Sequence, residues 1–396
     1  IPASQLIPGL GMREFITGFA LAIIAIVALL IYLNKMRNFH RDVEEFKDHD
    51  DEHNFIINVL PLLGLAGAII CLIPINLADR EVKYLIFNRF SLPSSPGIAI
   101  FMVGLIFAYR QYLLQISLVA LILFSAVFTQ NANSVRYIDE WKQTQNFWKD
   151  FILRVPDLAP GTTLTGYHTS AIQEGYYIWG PANLIYHSEA PEHLISAEVL
   201  NPETAVSIEL NLPYEKIHRS FLIKHDYAKA LVFTKPTTTS CLRFIDNQQI
   251  EISIYDHALI RQVAPYSNID LILPSDATNK SNFHTIFPEI GNDKTWCTLY
   301  EQAALQRQFS NWQAIIALAN DAENNHYQPF DTLEWMPFIE AYAYLGYFEK
   351  ADPLIRILNE EPFYQNQACK IFTSKPNSSD EKIQAGNKYL SKAFCE

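Results

Sequence analysis

The sequence predicts a membrane α-helical protein of about four spans, followed by a soluble α/β or α+β domain and a C-terminal helical unit. Three observations indicate this fold class: long apolar runs dominate residues 1–128, short β-branched and aromatic runs fill residues 162–290, and helical periodicity marks residues 295–360. We therefore expect three regions: a transmembrane region at 1–130, an extracytoplasmic mixed α/β domain at 131–290 and a helical unit with a tail at 291–396.

The composition excludes several classes of function. The net charge is −12, and no cluster of Lys and Arg is present to neutralise nucleic-acid phosphates. Five cysteines form no CxxC pair and no zinc spacing with histidine, so the sequence predicts neither a structural metal nor a cofactor. No GxSxG, GxxxxGK[ST] or GxGxxG motif occurs, so no catalytic residue is assigned.

The first two predicted spans are residues 15–33 and 55–77. Both runs are uncharged and long enough to cross a hydrocarbon core of about 30 Å. The second contains Pro61 and Pro74, which spans tolerate because neighbouring helices and water satisfy the freed carbonyls.

The next apolar stretch is too long for one span and carries one charge, Arg110, near its middle. A helical hairpin fits the length of the bilayer better, with spans at 94–109 and 112–128. Tyr109 and Tyr112 would then lie at the interface, where aromatic side chains are enriched.

Orientation should follow the Lys and Arg residues of the short loops. Counting gives five on the side that follows the first span and six on the opposite side, so the count alone does not decide. Lys35, Arg37 and Arg41 lie directly after the first span, and we therefore expect that side to be cytoplasmic. The large C-terminal domain would then lie outside the cytoplasm.

The segment 41–53, with its neighbour His40, is rich in carboxylates and also contains His49 and His53. Such side chains bind divalent metals in some proteins. An acidic run without a ligand pattern is more typical of a solvated loop, which is the interpretation favoured here.

The region after the spans begins with an amphipathic pattern at 134–154, which predicts a helix with an aromatic face. It could lie on the membrane surface or pack beneath the domain, and core packing is favoured. The runs predicted as strands are TTLTGYHT, GYYIWG, AVSIELNL, SFLIKHD, KALVFTK, CLRFID, IEISIYD and NIDLILPS. Two segments, AIQEGYYIWGPANLIYH and PEHLISAEVL, have a partly helical pattern.

An internal echo relates residues 303–318 to residues 339–354 at an offset of 36. Ser310 aligns with Gly346 and Trp312 with Phe348, which resembles tetratricopeptide (TPR) units of about 34 residues. Because a free-standing array needs about three units, we expect this TPR-like pair to pack on the preceding domain rather than to capture a peptide.

Cysteine placement suggests disulfides if the domain lies in an oxidising compartment. Cys241 and Cys297 are the favoured pair, and Cys369 with Cys395 would form a second. Four cysteines allow three connectivities, which the sequence leaves open.

The order of the segments resembles a known group of membrane proteins. The residues that carry the resemblance are NRFSLPSSPGIAIFMVGLIFAYR, FWKDFILRVPDLAPGTTLTGYHT, DKTWCTLYEQAALQRQFSNW and EWMPFIEAYAYLGYFEKA. They resemble the C-terminal part of large polytopic membrane proteins of Chloroflexus-type filamentous bacteria, which are described as uncharacterised or as relatives of the GT-C glycosyltransferases.

This resemblance implies transfer of a sugar from a polyprenyl-phosphate carrier on the outer face of the membrane. The catalytic acids of that family lie in an early external loop, so they would lie upstream of this chain. Arg80, Lys83 and Arg89 lie on a predicted external loop and would contact a lipid phosphate, or simply anchor the loop at the interface. The alternative is a non-catalytic membrane subunit whose outer domain binds partner proteins, through residues 295–360 or through the aromatic helix at 137–151.

Overall fold

A computed structural model describes the chain at residues 11–41, 59–78, 88–109, 111–168, 174–186, 194–218, 221–274, 277–288, 294–376 and 378–396. It forms two compact units, of which the first ends at Asp139 and the second begins at Glu140. The boundary that the sequence suggests near residue 290 falls inside the second unit.

The first unit contains helices that are long and apolar enough to cross a membrane. Four such helices are found in the described ranges, as the sequence predicts, with Ser91–Ala108 counted as one span that starts in a short 3₁₀ turn. The α-helices are α1 (Met12–Arg41), α2 (Leu60–Leu77), α3 (Ser95–Ala108) and α4 (Tyr112–Arg154). Residues 55–58 of the predicted second span lie outside the described residues.

Helices α2 and α3 approach each other at small residues. A Cβ added at Gly64 would lie 2.3 Å from the backbone nitrogen of Phe101, and one added at Gly97 would lie 2.4 Å from that of Ala68. Small residues let helix backbones pack closely where lipid provides no hydrophobic drive between helices. The glycines therefore fix this crossing.

Helices α1 and α4 pair through aromatic rings instead. The ring centroids of Phe15 and Phe128 are 5.2 Å apart, and those of Phe19 and Phe124 are 5.4 Å apart, both edge to face. The side-chain amide of Asn131 donates to the carbonyl oxygen of Glu14 at 3.3 Å. This polar contact satisfies an amide between two apolar helices.

The predicted span at 112–128 and the predicted amphipathic helix at 134–154 both lie in one helix. Helix α4 is continuous over 43 residues. No Pro or Gly interrupts the intervening segment, so the backbone hydrogen bonds continue through it. The C-terminal part of its aromatic face packs into a core, because Phe147, Trp148 and Phe151 are at most 1% exposed. Tyr137 and Trp141, on the same predicted face, are 60% and 49% exposed.

The second unit contains a four-stranded sheet in the order β3-β2-β6-β7. Strands β2, β3 and β6 are parallel and β7 is antiparallel to β6. The strands of the unit are β1 (Asp157–Leu158), β2 (Thr163–His168), β3 (Ser196–Val199), β4 (Tyr214–His218), β5 (Phe221–His225), β6 (Ala230–Lys235), β7 (Arg243–Phe244) and β8 (Ile272–Leu273). The first five residues of β6 are buried, which is typical of a central strand.

Several runs predicted as strands are not strands. AVSIELNL lies largely in a helix, because Asn201 caps its start, Pro202 occupies the first turn and Ala205 and Ile208 are buried three residues apart. GYYIWG also starts a helix, and IEISIYD has no strand. The short helices of this region are α5 (Tyr176–Tyr186), α6 (Pro202–Glu209), α7 (Ala258–Val263) and α8 (Ala277–Ile286).

Six helices follow: α9 (Trp296–Gln308), α10 (Trp312–Asn324), α11 (Met336–Tyr344), α12 (Phe348–Asn359), α13 (Pro362–Ser374) and α14 (Glu381–Cys395). The turns after α9 and α11 have the same geometry, with φ of 55° at Ser310 and 81° at Gly346. In both, the next residue bonds back five positions, Asn311 to Gln306 and Tyr347 to Tyr342. The two positions that the sequence aligns are thus equivalent turns.

Candidate functional site

The side chains predicted to contact a lipid phosphate all lie outside the described part of the structure. Arg80 and Lys83 lie outside the described residues. Arg89 belongs to the 3₁₀ helix Asn88–Ser94, but its side chain is outside the described part. The acidic segment 42–53 is outside it as well, and the described ranges contain no group of three metal-ligating side chains. Phosphate contact stays a prediction.

Two disulfides cross-link the second unit. Cys241, just before β7, is bonded to Cys297 in the first turn of α9 with an S–S distance of 2.10 Å. Cys369 is bonded to Cys395 with an S–S distance of 2.03 Å. The first bridge is the pair that the sequence favours, and it joins the mixed region to the helical region.

A buried carboxylate supports the first bridge. Glu334 accepts hydrogen bonds from the backbone nitrogen of Cys241 at 2.8 Å and from the indole nitrogen of Trp296 at 2.7 Å. Burial raises the pKa of Glu334 to about 7, against the opposing effect of these hydrogen bonds. Glu334 thus holds the two ends of the bridge in register.

Beside α9 lies a cavity of about 560 Å³, which is in the range of small-molecule sites. It is walled by β7 with the loop that follows it, by α9, and by the ends of α10, α11, α13 and α14. The residues that matter most for its chemistry are Arg154, Phe244, Glu301, Gln308, Trp312 and Tyr344.

One wall of the cavity is an ion-pair network centred on Arg307. Its guanidinium donates to Glu251 at 2.6 and 2.9 Å and to Glu340 at 2.5 Å. Lys375 donates to the other oxygen of Glu340 and, at 2.9 Å, to the hydroxyl of Tyr344. The charges of this wall are therefore compensated within the protein.

The network also sets the ionisation of its members. Burial opposes ionisation of Glu340, but Arg307 and Lys375 lower its pKa to about 2. Glu251 and Glu340 raise the pKa of Arg307 against the opposing effect of burial. A second buried pair, Arg243 with Asp256 at 2.6 Å, removes another charge from the cavity.

Glu301 is the exception in this environment. Its side chain is 0% exposed, and neither carboxyl oxygen has a hydrogen-bond partner among the described residues. Burial and the negative charge of Asp150 raise its pKa well above the ordinary value, although Arg154 and Lys235 lower it. A buried carboxyl without hydrogen bonds costs free energy, and native proteins pair such groups for this reason.

Arg154, the last residue of α4, lines the same cavity as Glu301, and its positive charge lowers the pKa of Glu301. Its Nη1 donates to the side-chain oxygen of Gln308 at 2.9 Å, and its guanidinium carbon lies 5.9 Å from the ring centroid of Phe244. Gln308 is itself fixed, because its amide nitrogen donates to the carbonyl oxygens of Ile269 and Ile272. The guanidinium is thus held in one orientation.

Sequence reasoning missed both Glu301 and Arg154. One signal was present: Glu301 shares a helical face with Cys297, Ala304 and Gln308, where a lone carboxylate is out of place beside a bridged cysteine. No local pattern shows that the end of a membrane-length helix supplies Arg154 to the same cavity.

A smaller cavity, of about 280 Å³, lies at the end of β3. One of the carboxylates that line it, Glu198, accepts from the hydroxyls of Tyr214 and, at 2.8 Å, Tyr227. Because that carboxylate is already satisfied, this cavity is a weaker candidate than the one beside α9.

Comparison with known proteins adds no assignment to either cavity: no protein-family model, curated protein or solved structure matches the chain.

Proposed function

We propose that this chain is the C-terminal region of a GT-C-like integral membrane glycosyltransferase that acts on the outer face of the membrane with a lipid-linked sugar donor. The catalytic acids would lie upstream of the chain. The observation that carries the proposal is the order of its parts, four membrane-length helices followed by a unit with two disulfides. The proposed activity itself comes from the resemblance of the sequence to that group of membrane proteins.

The disulfides support an extracytoplasmic second unit. Structural disulfides persist in oxidising compartments and are rare in the cytosol. Both bridges lie in the second unit, whereas Cys71, in α2, is free. In this proposal the second unit lies outside and provides the surface that receives the acceptor.

The TPR-like helices have a packing role in this proposal. Phe338, Ile339 and Ala341 of α11 are all 0% exposed. The helix is therefore enclosed by its neighbours and does not form an open peptide groove. The first disulfide ties the same helices to the mixed region. They therefore act as a scaffold for the cavity beside α9.

Sidedness is tested by labelling introduced cysteines with a membrane-impermeant maleimide in intact cells, in a Cys71→Ala background. Lys294→Cys probes an exposed position of the second unit, and Lys35→Cys probes the predicted cytoplasmic side. The proposal expects labelling of Lys294→Cys in intact cells and of Lys35→Cys only after permeabilisation. The reverse pattern would refute the proposed location.

Activity is tested in the full-length protein with a polyprenyl-phosphate sugar as donor. Arg80→Gln and Arg89→Gln should depress sugar transfer, because each removes a bidentate phosphate donor. Arg13→Gln is the matched control in the first unit. Normal transfer by a folded double variant would eliminate the phosphate-binding role of the loop.

A non-catalytic subunit is the second candidate, and exposed aromatic residues favour it. Phe309, Phe330 and Tyr347 are 44%, 51% and 49% exposed, and two of them lie at the equivalent turns. Such side chains are enriched where proteins bind partners. Deleting residues 295–360 would remove a disulfide and core helices, so the better test is Phe309→Ser with Tyr347→Ser. This candidate predicts that the pair dissociates a complex isolated from native membranes, and an intact complex would count against it.

A further inference from the structure

The cavity beside α9 contains two polar groups that the fold buries and does not fully use. Neither oxygen of Glu301 has a hydrogen-bond partner in the described residues, and Arg154 uses Nη1 for its bond to Gln308. A guanidinium carries five N–H donors, so Arg154 retains donors for a ligand. We infer that this cavity is a binding site for a neutral, hydroxyl-rich ligand such as a sugar residue, held between Glu301 and Arg154.

The unfilled oxygens of Glu301 define half of the recognition. Leaving a buried polar group without its hydrogen bonds costs about 1–3 kcal/mol, and more when the group is charged. A ligand that brings O–H donors removes this cost on binding. A hydroxyl meets the needs of Glu301 in either protonation state, because it can donate to a carboxylate oxygen and accept from a carboxyl O–H.

Arg154 defines the other half. A hydroxyl oxygen accepts a hydrogen bond while its hydrogen is donated elsewhere. Two neighbouring hydroxyls can thus donate to Glu301 and accept from Arg154 at once. A cationic ligand would satisfy Glu301 but would meet the charge of Arg154, so an amine fits this pair less well.

The rest of the wall argues for a ligand without net charge. Arg307 is paired with Glu251 and Glu340, and Lys375 with Glu340. Arg243 is paired with Asp256. These three cations are thus compensated, and Asp246 and Asp270 also line the cavity, so this wall does not favour an anionic ligand.

Aromatic rings complete the site. Trp312 and Tyr344 line the cavity with their ring centroids 4.7 Å apart, edge to face. Trp312 is half-buried, so part of its ring faces the cavity and offers an apolar surface to the C–H groups of a sugar ring. The cavity of about 560 Å³ leaves room for more than one sugar residue.

The inference goes beyond the proposed function, because it uses only contacts of the second unit and holds for the non-catalytic candidate as well. It is tested by binding rather than by transfer, so it can fail while sidedness and transfer behave as proposed, and the reverse also holds.

The experiment uses the full chain in detergent. Three neutral disaccharides, maltose, cellobiose and chitobiose, are added at up to about 20 mM, a concentration at which a dissociation constant near 1 mM is detected. Saturation-transfer NMR measures binding, and tryptophan fluorescence compared between the wild type and Trp312→Phe locates it. At least one disaccharide should bind and change the signal of Trp312.

Substitutions separate the contribution of Glu301 to binding from that of Arg154. Glu301→Leu and Arg154→Lys should each weaken binding about tenfold or more, because each removes hydrogen bonds to the ligand. Glu301→Gln should weaken it less, and this variant keeps the shape of the side chain if the leucine variant does not fold. Glu349→Gln, an exposed carboxylate on α12, is the matched control and should bind as the wild type does.

Three results would overturn the inference: no binding of any of the three disaccharides, equal binding by Glu301→Leu and the wild type, or binding of sodium acetate or phosphate in place of the sugars.

Discussion

Two helix pairs, α2–α3 of the first unit and α9–α11 of the second, come together in opposite ways. In the first unit, α2 and α3 approach where side chains are missing, at Gly64 and Gly97. In the second, α9 and α11 pack through large side chains such as Trp296 and Phe338, whose ring centroids are 5.4 Å apart. Lipid gives no hydrophobic gain for filling space between helices, which favours small residues at a close crossing, whereas water favours the burial of large side chains. The α1–α4 pair shows that large aromatic side chains can also join two apolar helices.

The units also differ in how they treat charge. The membrane-length helices have long segments with few charged residues. Many of their large apolar side chains are exposed, and Leu62 and Ile70 are more than 60% exposed. The helices of the second unit bury Glu301, Glu334 and Glu340 completely. Glu340 and Glu334 are tied by hydrogen bonds, and Glu301 is the one whose contacts are missing among the described residues. A fold that pairs its buried charges makes an unpaired one conspicuous.

The largest effect is expected from the glycine crossing. Gly64→Leu should abolish α2–α3 packing, at a cost above about 4 kcal/mol, because backbone atoms occupy the space of the new side chain. Size-exclusion chromatography and thermal unfolding in detergent would show it. Gly67→Leu is the control, since its Cβ would meet only Gly97 Cα at 3.9 Å, and equal damage by both variants would refute the crossing.

The next largest loss of stability is expected from removing the first disulfide. The described helices of the first unit contain no disulfide. Replacing Cys241 and Cys297 by serine should destabilise the second unit by about 4 kcal/mol, because the bridge closes a loop of 56 residues. The bridge between Cys369 and Cys395 closes 26, so its removal should cost about 0.7 kcal/mol less. Thermal unfolding with and without reductant measures both, and a larger loss for the shorter loop would contradict the ranking.

Acid should weaken the ion-pair wall of the cavity. The pKa of Glu340 is lowered from 4.5 to about 2, so its contribution is complete above pH 4.5 and is lost as the pH falls towards 2. That loss amounts to about 3 kcal/mol. Glu340→Gln should flatten this part of the stability profile, measured by denaturation between pH 2 and 6.

The exposed pair of Lys350 with Glu323 supplies the control for that profile. Its side chains are 52% and 64% exposed, so Glu323→Gln should change stability by less than about 1 kcal/mol. A profile that Glu323→Gln alters as much as Glu340→Gln would show that burial does not distinguish the two pairs.

The last expected effect has the opposite sign, because it is a gain in stability. Burial raises the pKa of Glu301, so the folded state holds its proton more tightly than the unfolded chain and loses stability as the pH rises above 4.5 towards that pKa. Glu301→Gln should therefore raise the melting temperature at pH 8, with the gain disappearing near pH 4.5. A lower melting temperature at pH 8 would mean that the ionised carboxylate is stabilised in the empty protein.

Much of the architecture could be predicted because it depends on local composition. Apolar runs of sufficient length locate the four membrane-length helices, and the Ser310–Gly346 echo locates two equivalent turns. The errors arose where short apolar runs fit two periods. AVSIELNL alternates like a strand, but Asn201 and Pro202 before it favour a helix, and burial of Ala205 and Ile208 selects the helical face.

The sequence by itself determined the membrane-length helices and the change to a mixed helix and sheet region, because length, hydropathy and turn residues act over short distances. It favoured one cysteine pair but left the connectivity open, and the structure supplied it. Only the tertiary structure decided which charges meet. Glu301 and Arg154 are 147 positions apart in the chain, and only packing places the end of α4 beside α9 at one cavity. The energy of a buried charge depends on its surroundings in space, and these are fixed only when the chain has folded.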